Sequence, residues 1–252
     1  MEAYIDPNLT IDSDYLDGQN SIIINFLGCN FNCPICFLPG YIKFKSDSIT
    51  SIKSIKQEIE RIHPNAENIV FTGGEPTLQR LALGNLCRYT NSLNLTPWVH
   101  TNCSKPNVIS YLISNDLCSN FIVDIKAPFE ESIFEKSTNS KGFFISSSQI
   151  LADIRKTLQI FYEKKEELTL EFRSTVVPGV FYKKEHFEAI GREIAKFQTL
   201  YIIQNFTLSE DESQKPLNPM YQKLLPLSDN QMKEIKDFLE HRFPQLKIQV
   251  RT

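Results

Sequence analysis

The 252-residue chain contains no apolar stretch approaching the roughly 20 residues that a membrane-spanning helix requires. Its opening, Met1-Glu2-Ala3-Tyr4-Ile5-Asp6-Pro7, lacks the basic end and apolar run of a secretion signal. A cytoplasmic protein without a membrane partner is expected. Positive charge is not in excess: 27 Lys and Arg stand against 30 Asp and Glu, a net charge of −3. Nucleic acid is therefore disfavoured as the main partner. No linker rich in glycine or serine, no internal repeat and no low-complexity tract interrupts the sequence. We expect one domain over 1–252, with a core near 20–206 and a loop-and-helix extension over 207–252. Only six cysteines occur, and without a secretion signal they argue for a metal or a reactive thiol rather than a disulfide framework.

What is present is an ordinary globular composition, 41% hydrophobic and 23% charged. Short β-branched or apolar runs at 22–27, 69–72, 97–100, 121–125, 168–177 and 200–206 predict strands, with a seventh at 246–250. Amphipathic stretches near 51–63, 79–92, 106–116, 146–165, 183–197 and 228–242 predict helices between them. Pro106 after Ser104, and Ser228 three residues before Gln231, read as helix starts. Six strand–helix alternations predict an α/β fold, a partial (β/α)6 barrel of parallel strands with outer helices. The connection from 207 to 227, carrying Glu210, Asp211 and Glu212 and three prolines, is long enough to be a lid or a docking loop.

Three cysteines are clustered directly after the first predicted strand: Cys29, Cys33 and Cys36, spaced x3 and x2. A loop that short wraps all three sulfurs around one metal centre. Zinc normally takes four N or S ligands, and the nearest downstream histidine is His63, inside a predicted helix. A [4Fe-4S] cubane on three thiolates instead leaves one iron without a protein ligand and able to bind a substrate. At this point both centres are open. After the second strand comes Thr72-Gly73-Gly74-Glu75-Pro76-Thr77, in which two glycines permit close backbone approach and Glu75 adds a carboxylate.

Together, the cysteine spacing and the Gly-Gly-Glu run resemble the radical S-adenosylmethionine superfamily. The resemblance narrows to glycyl-radical-enzyme activating proteins, specifically the anaerobic ribonucleoside-triphosphate reductase activating group. It rests on Gly28-Cys29-Asn30-Phe31 with Cys33-Pro34, on the Gly-Gly-Glu-Pro run and on Thr101-Asn102. It rests also on Asp124-Ile125-Lys126-Ala127-Pro128, Glu171-Phe172-Arg173 and Gln204-Asn205-Phe206. The resemblance implies one [4Fe-4S] cluster on Cys29, Cys33 and Cys36. It implies S-adenosylmethionine held by Gly73, Gly74, Glu75, Pro76, Thr101, Asn102, Asp124, Lys126, Arg173 and Gln204, with Glu75 in the element that meets the methionine ammonium. It further implies reductive cleavage to methionine and a 5′-deoxyadenosyl radical, an external electron donor such as flavodoxin or ferredoxin, and a glycyl radical enzyme as protein partner under anaerobic conditions. Two other functions stay open: a radical enzyme for a small molecule, peptide or modified nucleoside, and a non-catalytic iron-sulfur or zinc-binding protein.

Departures from the family pattern also carry expectations. His100 stands where relatives have an aspartate that helps bind a monovalent cation, and neutral imidazole is a poor ligand for a hard ion. Whether the chain keeps a cation site is left open, and His100 is read as a buried, hydrogen-bonded histidine or a proton relay. Ile35 precedes the third cysteine where the family usually has an aromatic ring. Asp14-Tyr15-Leu16-Asp17-Gly18 matches the family's Val-Asp-Tyr-Pro-Gly only loosely.

Overall fold

The computed structural model describes residues 1–45, 48–140, 142, 146–208, 215–216 and 218–251. The acidic run Glu210–Glu212 lies outside the described residues. The chain opens with β1 (Glu2–Tyr4), β2 (Thr10–Leu16), β3 (Gln19–Phe26) and β4 (Ile49–Ser51). It continues with α1 (Ile52–Ile62), β5 (Asn68–Gly73), α2 (Arg80–Ser92), β6 (Thr96–Thr101), α3 (Pro106–Ser114) and β7 (Asn120–Asp124). After α4 (Glu131–Thr138) and α5 (Ser147–Glu163) come β8 (Thr169–Thr175), α6 (Lys184–Ile194), β9 (Leu200–Gln204), α7 (Asp229–Arg242) and β10 (Lys247–Arg251). Among the described residues no helix is long and apolar enough to cross a membrane.

Eight strands form one curled half-barrel in the order β10-β9-β8-β7-β6-β5-β3-β2, parallel except for the antiparallel pair β2–β3. The expected six-stranded unit is its centre. The sheet is covered on both faces, which is why Ile22-Ile23-Ile24 reads as a continuous apolar run rather than an alternation. Helices cover the outer face with amphipathic stripes; in α1, Ile52, Ile55, Ile59 and Ile62 are the buried residues.

The inner face is layered by the two-residue period of the strands. Ile23 pairs with Val70 and Val70 with Trp98. Leu16, Ile23, Val70 and Ile122 form a small inner core with Tyr15 and Trp98 packed on it. Two residues further along their strands, Val70, Trp98 and Ile122 give way to Thr72, His100 and Asp124, and Asp124 is in register with Arg173. An apolar floor thus carries a polar storey.

One ion pair links the two edges of the sheet. Asp17 and Gly18, both at positive φ, form the β2–β3 turn, and Asp17 Oδ1 takes a 2.7 Å ion pair from Arg251 at the end of β10. Ser228 caps α7 as expected, in a reciprocal pair with Gln231. Pro106 occupies the first turn of α3, but the cap position is Lys105 rather than Ser104 and makes no side-chain cap.

Candidate active site

A cavity of about 280 Å³ opens at the C-terminal ends of the strands. It is lined by twelve of the thirteen residues singled out from sequence: Cys29, Cys33, Cys36, Gly73, Gly74, Glu75, Thr101, Asn102, Asp124, Lys126, Arg173 and Gln204. Pro76 is the exception. It is buried in the short 3-10 turn 76–79 and does not line the cavity, because proline at the first position of that turn serves the backbone.

The cysteine loop follows β3, and the Gly-Gly-Glu turn is stitched to it. Gly74 N donates to Phe26 O at 2.7 Å, and Glu75 N donates to Gly28 O at 2.8 Å. A Cβ on Gly74 would lie 2.2 Å from Gly28 O, and one on Gly73, at φ 99°, would lie 2.5 Å from Phe26 O. These glycines therefore admit the neighbouring loop as well as facing the cavity. The three thiols line one cavity without converging on a point suited to a single ion. Burial pushes the Cys33 thiol up to about 12 and raises Cys29 and Cys36 as well. Thiols in so apolar a setting ionise only beside a cationic centre that compensates the thiolate charge, their protons being released on binding.

Glu75 is spent on the protein. Its Oε1 accepts from Thr77 N (3.1 Å), Thr77 Oγ1 (2.5 Å) and Thr101 Oγ1 (2.8 Å), and its Oε2 from Asn102 N (2.8 Å). Burial raises its pKa against these donors. Asn102 continues the brace, donating through Nδ2 to Asn30 Oδ1 at 3.0 Å, while Asn30 Nδ2 donates to Ser104 Oγ at 2.8 Å. The side chains of Glu75, Thr101 and Asn102 thus tie the β5 and β6 loops to the cysteine loop.

Deeper in the half-barrel, Lys126 pairs with Asp124 Oδ2, as the two-residue spacing anticipated. Burial opposes ionisation of Asp124, but Lys126 and His100 outweigh it and hold the carboxyl well below the usual range. Burial likewise opposes charge on Lys126, and Asp124 overrides it, holding the ammonium well above its ordinary value. His100 is held down by burial despite Asp124. Its Nε2 faces Asp124 Oδ2 at 3.4 Å and has no closer partner, and Asp124 Oδ1 has no protein partner at all. Arg173 is 3% exposed and ion-paired to Glu171.

Tyr15, Thr72 and Glu171 stood inside motifs quoted from the sequence but were given no site role. Glu171 precedes Arg173 by two and shares its face, so its pairing was findable; nothing local shows that Tyr15 on β2 reaches across the sheet to His100.

A family model for a 4Fe-4S single cluster domain matches residues 18–152, more than half of the chain. A Methanocaldococcus jannaschii protein provisionally named a glycyl-radical enzyme activating enzyme is 29% identical over 235 residues, 93% of this chain and 91% of that one. The 7-carboxy-7-deazaguanine synthase of Hyperthermus butylicus is 33% identical over 89 residues, 35% of this chain and 37% of that protein. In fold, Streptococcus suis SuiB bound to S-adenosylmethionine is similar with a TM-score of 0.66 at 12% identity, over 90% of this chain and 48% of that one. Since the matched segment holds all three clustered thiols and the Gly-Gly-Glu turn, the chain belongs to the 4Fe-4S single cluster domain family, and its cofactor is a [4Fe-4S] cluster.

Proposed function

We propose that this chain is a radical S-adenosylmethionine enzyme, and specifically an activase that removes a hydrogen atom from a glycine of a partner glycyl radical enzyme, anaerobic ribonucleotide reductase being the first candidate. The observation that carries the reading is the similarity to the M. jannaschii protein along nearly the whole of both chains. The bound cofactors supply the hard chemistry, one electron delivered to the sulfonium, with methionine and a 5′-deoxyadenosyl radical released. An external donor of the flavodoxin or ferredoxin type supplies that electron.

The protein's own residues hold, orient and shield. Cys29, Cys33 and Cys36 hold the cluster as thiolates. The cavity fits the second cofactor on one specific point: Asp124 Oδ1 and His100 Nε2 are buried at its wall without close protein partners, an acceptor and a nitrogen suited to ribose hydroxyls. Gly73 and Gly74 offer main chain at the wall beside the thiols. Lys126 and Arg173, each neutralised by its own carboxylate, orient without adding net charge. Apolar Ile35, Phe37 and Leu38 cover the cysteine side of the cavity and exclude water.

A second reading is supported by the partial similarity to 7-carboxy-7-deazaguanine synthase: a small heterocycle takes the hydrogen-donor position in place of a protein glycine. Anaerobic reconstitution, reduction and incubation with candidate glycyl radical enzymes separates the two. A glycyl radical signal with stoichiometric 5′-deoxyadenosine supports the activase. Cofactor cleavage stimulated only by a small molecule overturns it.

A further inference from the structure

Tyr15 belongs to a hairpin that neither the cysteine loop nor the Gly-Gly-Glu turn includes, yet it touches both polar sides of the site. Its hydroxyl lies 2.6 Å from His100 Nδ1 and 2.9 Å from Thr72 Oγ1. Its main-chain oxygen accepts from Arg173 Nη2 at 2.7 Å, and its ring lies 5.0 Å beneath the same guanidinium. We propose that Tyr15 is a positioning residue, setting the tautomer of His100 and the place of Arg173 so that both present fixed polar groups to the cofactor. The inference concerns cofactor binding and is independent of what receives the radical.

The hydrogen positions follow from the neighbours. Asp124 is an anion bonded to Lys126 through Oδ2. The ring nitrogen facing that oxygen at 3.4 Å, Nε2, is the one that carries the proton. Nδ1 is then a lone pair and must receive the Tyr15 hydroxyl proton, which leaves the Tyr15 oxygen to accept from Thr72. The hydrogen bonds run Thr72 to Tyr15 to His100, and they leave Nε2–H turned towards Asp124 and the cavity with no hydrogen bond of its own. Without the phenol, only the longer 3.4 Å contacts of Nε2 with Asp124 Oδ2 and of Nδ1 with Thr72 Oγ1 are left to distinguish the two nitrogens, and the proton facing the cavity is held less firmly. Arg173 is held differently: its ion pair with Glu171 sets charge, whereas the Tyr15 carbonyl and ring set direction.

The hairpin is itself held in place. Asp17, two residues beyond Tyr15, is bonded to Arg251, and Leu16 is 4% exposed in the inner core. Tyr15 is therefore presented by a strand fixed immediately beyond it.

Tyr15→Phe tests this, because it keeps the ring and the main-chain carbonyl and deletes only the hydroxyl. Ring-nitrogen spectroscopy of the four histidines, on the full chain with its cluster in the oxidised state, reads the His100 tautomer directly. We expect one Nε2–H tautomer in the unmodified protein and a mixture in Tyr15→Phe. S-adenosylmethionine affinity should fall about threefold to tenfold, the scale of one supporting hydrogen bond, with iron content and melting temperature retained. Tyr15→Leu, which also removes the ring from under Arg173, should weaken binding further; if it does not fold, the phenylalanine variant decides. An Nδ1–H tautomer in the unmodified protein overturns the proposal. So does a Tyr15→Phe protein with unchanged tautomer and affinity, as does one that only melts earlier.

Discussion

Glu75 Oε2 holds the main-chain N–H of Asn102 at 2.8 Å across the gap between the β5 and β6 loops, while Oε1 takes three further donors. A carboxylate satisfied four times by its own protein is a brace. Glu75→Gln puts an amide NH2 where only donors converge, so at least one bond becomes a clash of donors at a cost of about 2 kcal/mol. The expected result is a melting temperature lower by about 5 °C, measured on the apo and cluster-loaded chains. An unchanged melting temperature with lost cofactor binding would mean that Glu75 swings to the cofactor.

Asp124 answers differently. Asp124→Asn leaves every main-chain bond in place and should fold, while losing the charge that fixes Lys126 and the unpartnered oxygen facing the cavity. We expect S-adenosylmethionine affinity to fall about tenfold or more, read by equilibrium binding to the reconstituted protein. Affinity equal to that of the unmodified enzyme would remove Asp124 from the pocket.

The same residue sets a pH signature. Its folded pKa lies below the ordinary value of about 3.9. Its contribution to stability is therefore complete above that value and drains away as pH falls towards the folded pKa. Lys126 has the opposite sign: held above about 10.4, its contribution is complete below that value and is lost on further alkalinisation. Comparing urea midpoints at pH 7 and pH 3 should show a smaller acid loss in Asp124→Asn than in the unmodified chain. Equal losses would count against a depressed Asp124.

Much of the site was legible because its chemistry is written in short motifs at strand ends. Cys29, Gly73, Thr101, Asp124 and Gln204 each follow or close a β-branched run, and the period of two alone puts Asp124 and Lys126 on one face. What the sequence does not display is where tertiary partners decide contacts. Nothing local shows that Glu75 faces four donors, or that Pro76 turns inwards. The elements missed were β1, β2, β4 and α4. In β2 four of seven residues are exposed and a bulge breaks the register between Asp12 and Leu16, so the alternation that betrays a strand is absent.

The cysteines separate by environment. Cys33 lines the cavity, whereas Cys87 is buried on α2 in the main hydrophobic core. Cys33→Ala should abolish the cluster; Cys87→Ala should keep about four irons per chain and lose only about 1 kcal/mol of packing. Iron analysis and absorbance decide, and a Cys33→Ala protein that retains cluster absorbance would refute the assignment.

Asn205 closes the connection beyond β9 at its base: its Nδ2 donates to Leu227 O at 2.8 Å, and Leu227 N donates back to Asn205 Oδ1 at 3.1 Å. Tyr221 is buried within the segment, while Leu208, Met220 and Leu225 are exposed. Shortening 208–218 to a glycine–serine bridge that spares Tyr221 should leave the cluster and uncoupled cofactor cleavage intact, since closure depends weakly on length. Activation of the protein partner should fall. Undiminished activation would exclude a docking role for this stretch.

The pairing of Asp17 with Arg251 has a consequence for how the enzyme comes into being. Tyr15 stands next to one side of that bond, and the other side is 234 positions further along the chain. A nascent chain can assemble the thiol loop and the Gly-Gly-Glu turn early, but the hairpin beneath them gains its last tether only after residue 251 has left the ribosome. Assembly is therefore ordered: the thiol loop and the Gly-Gly-Glu turn can come together before β10 exists, whereas a fully tethered floor beneath the cofactor pocket waits for that strand.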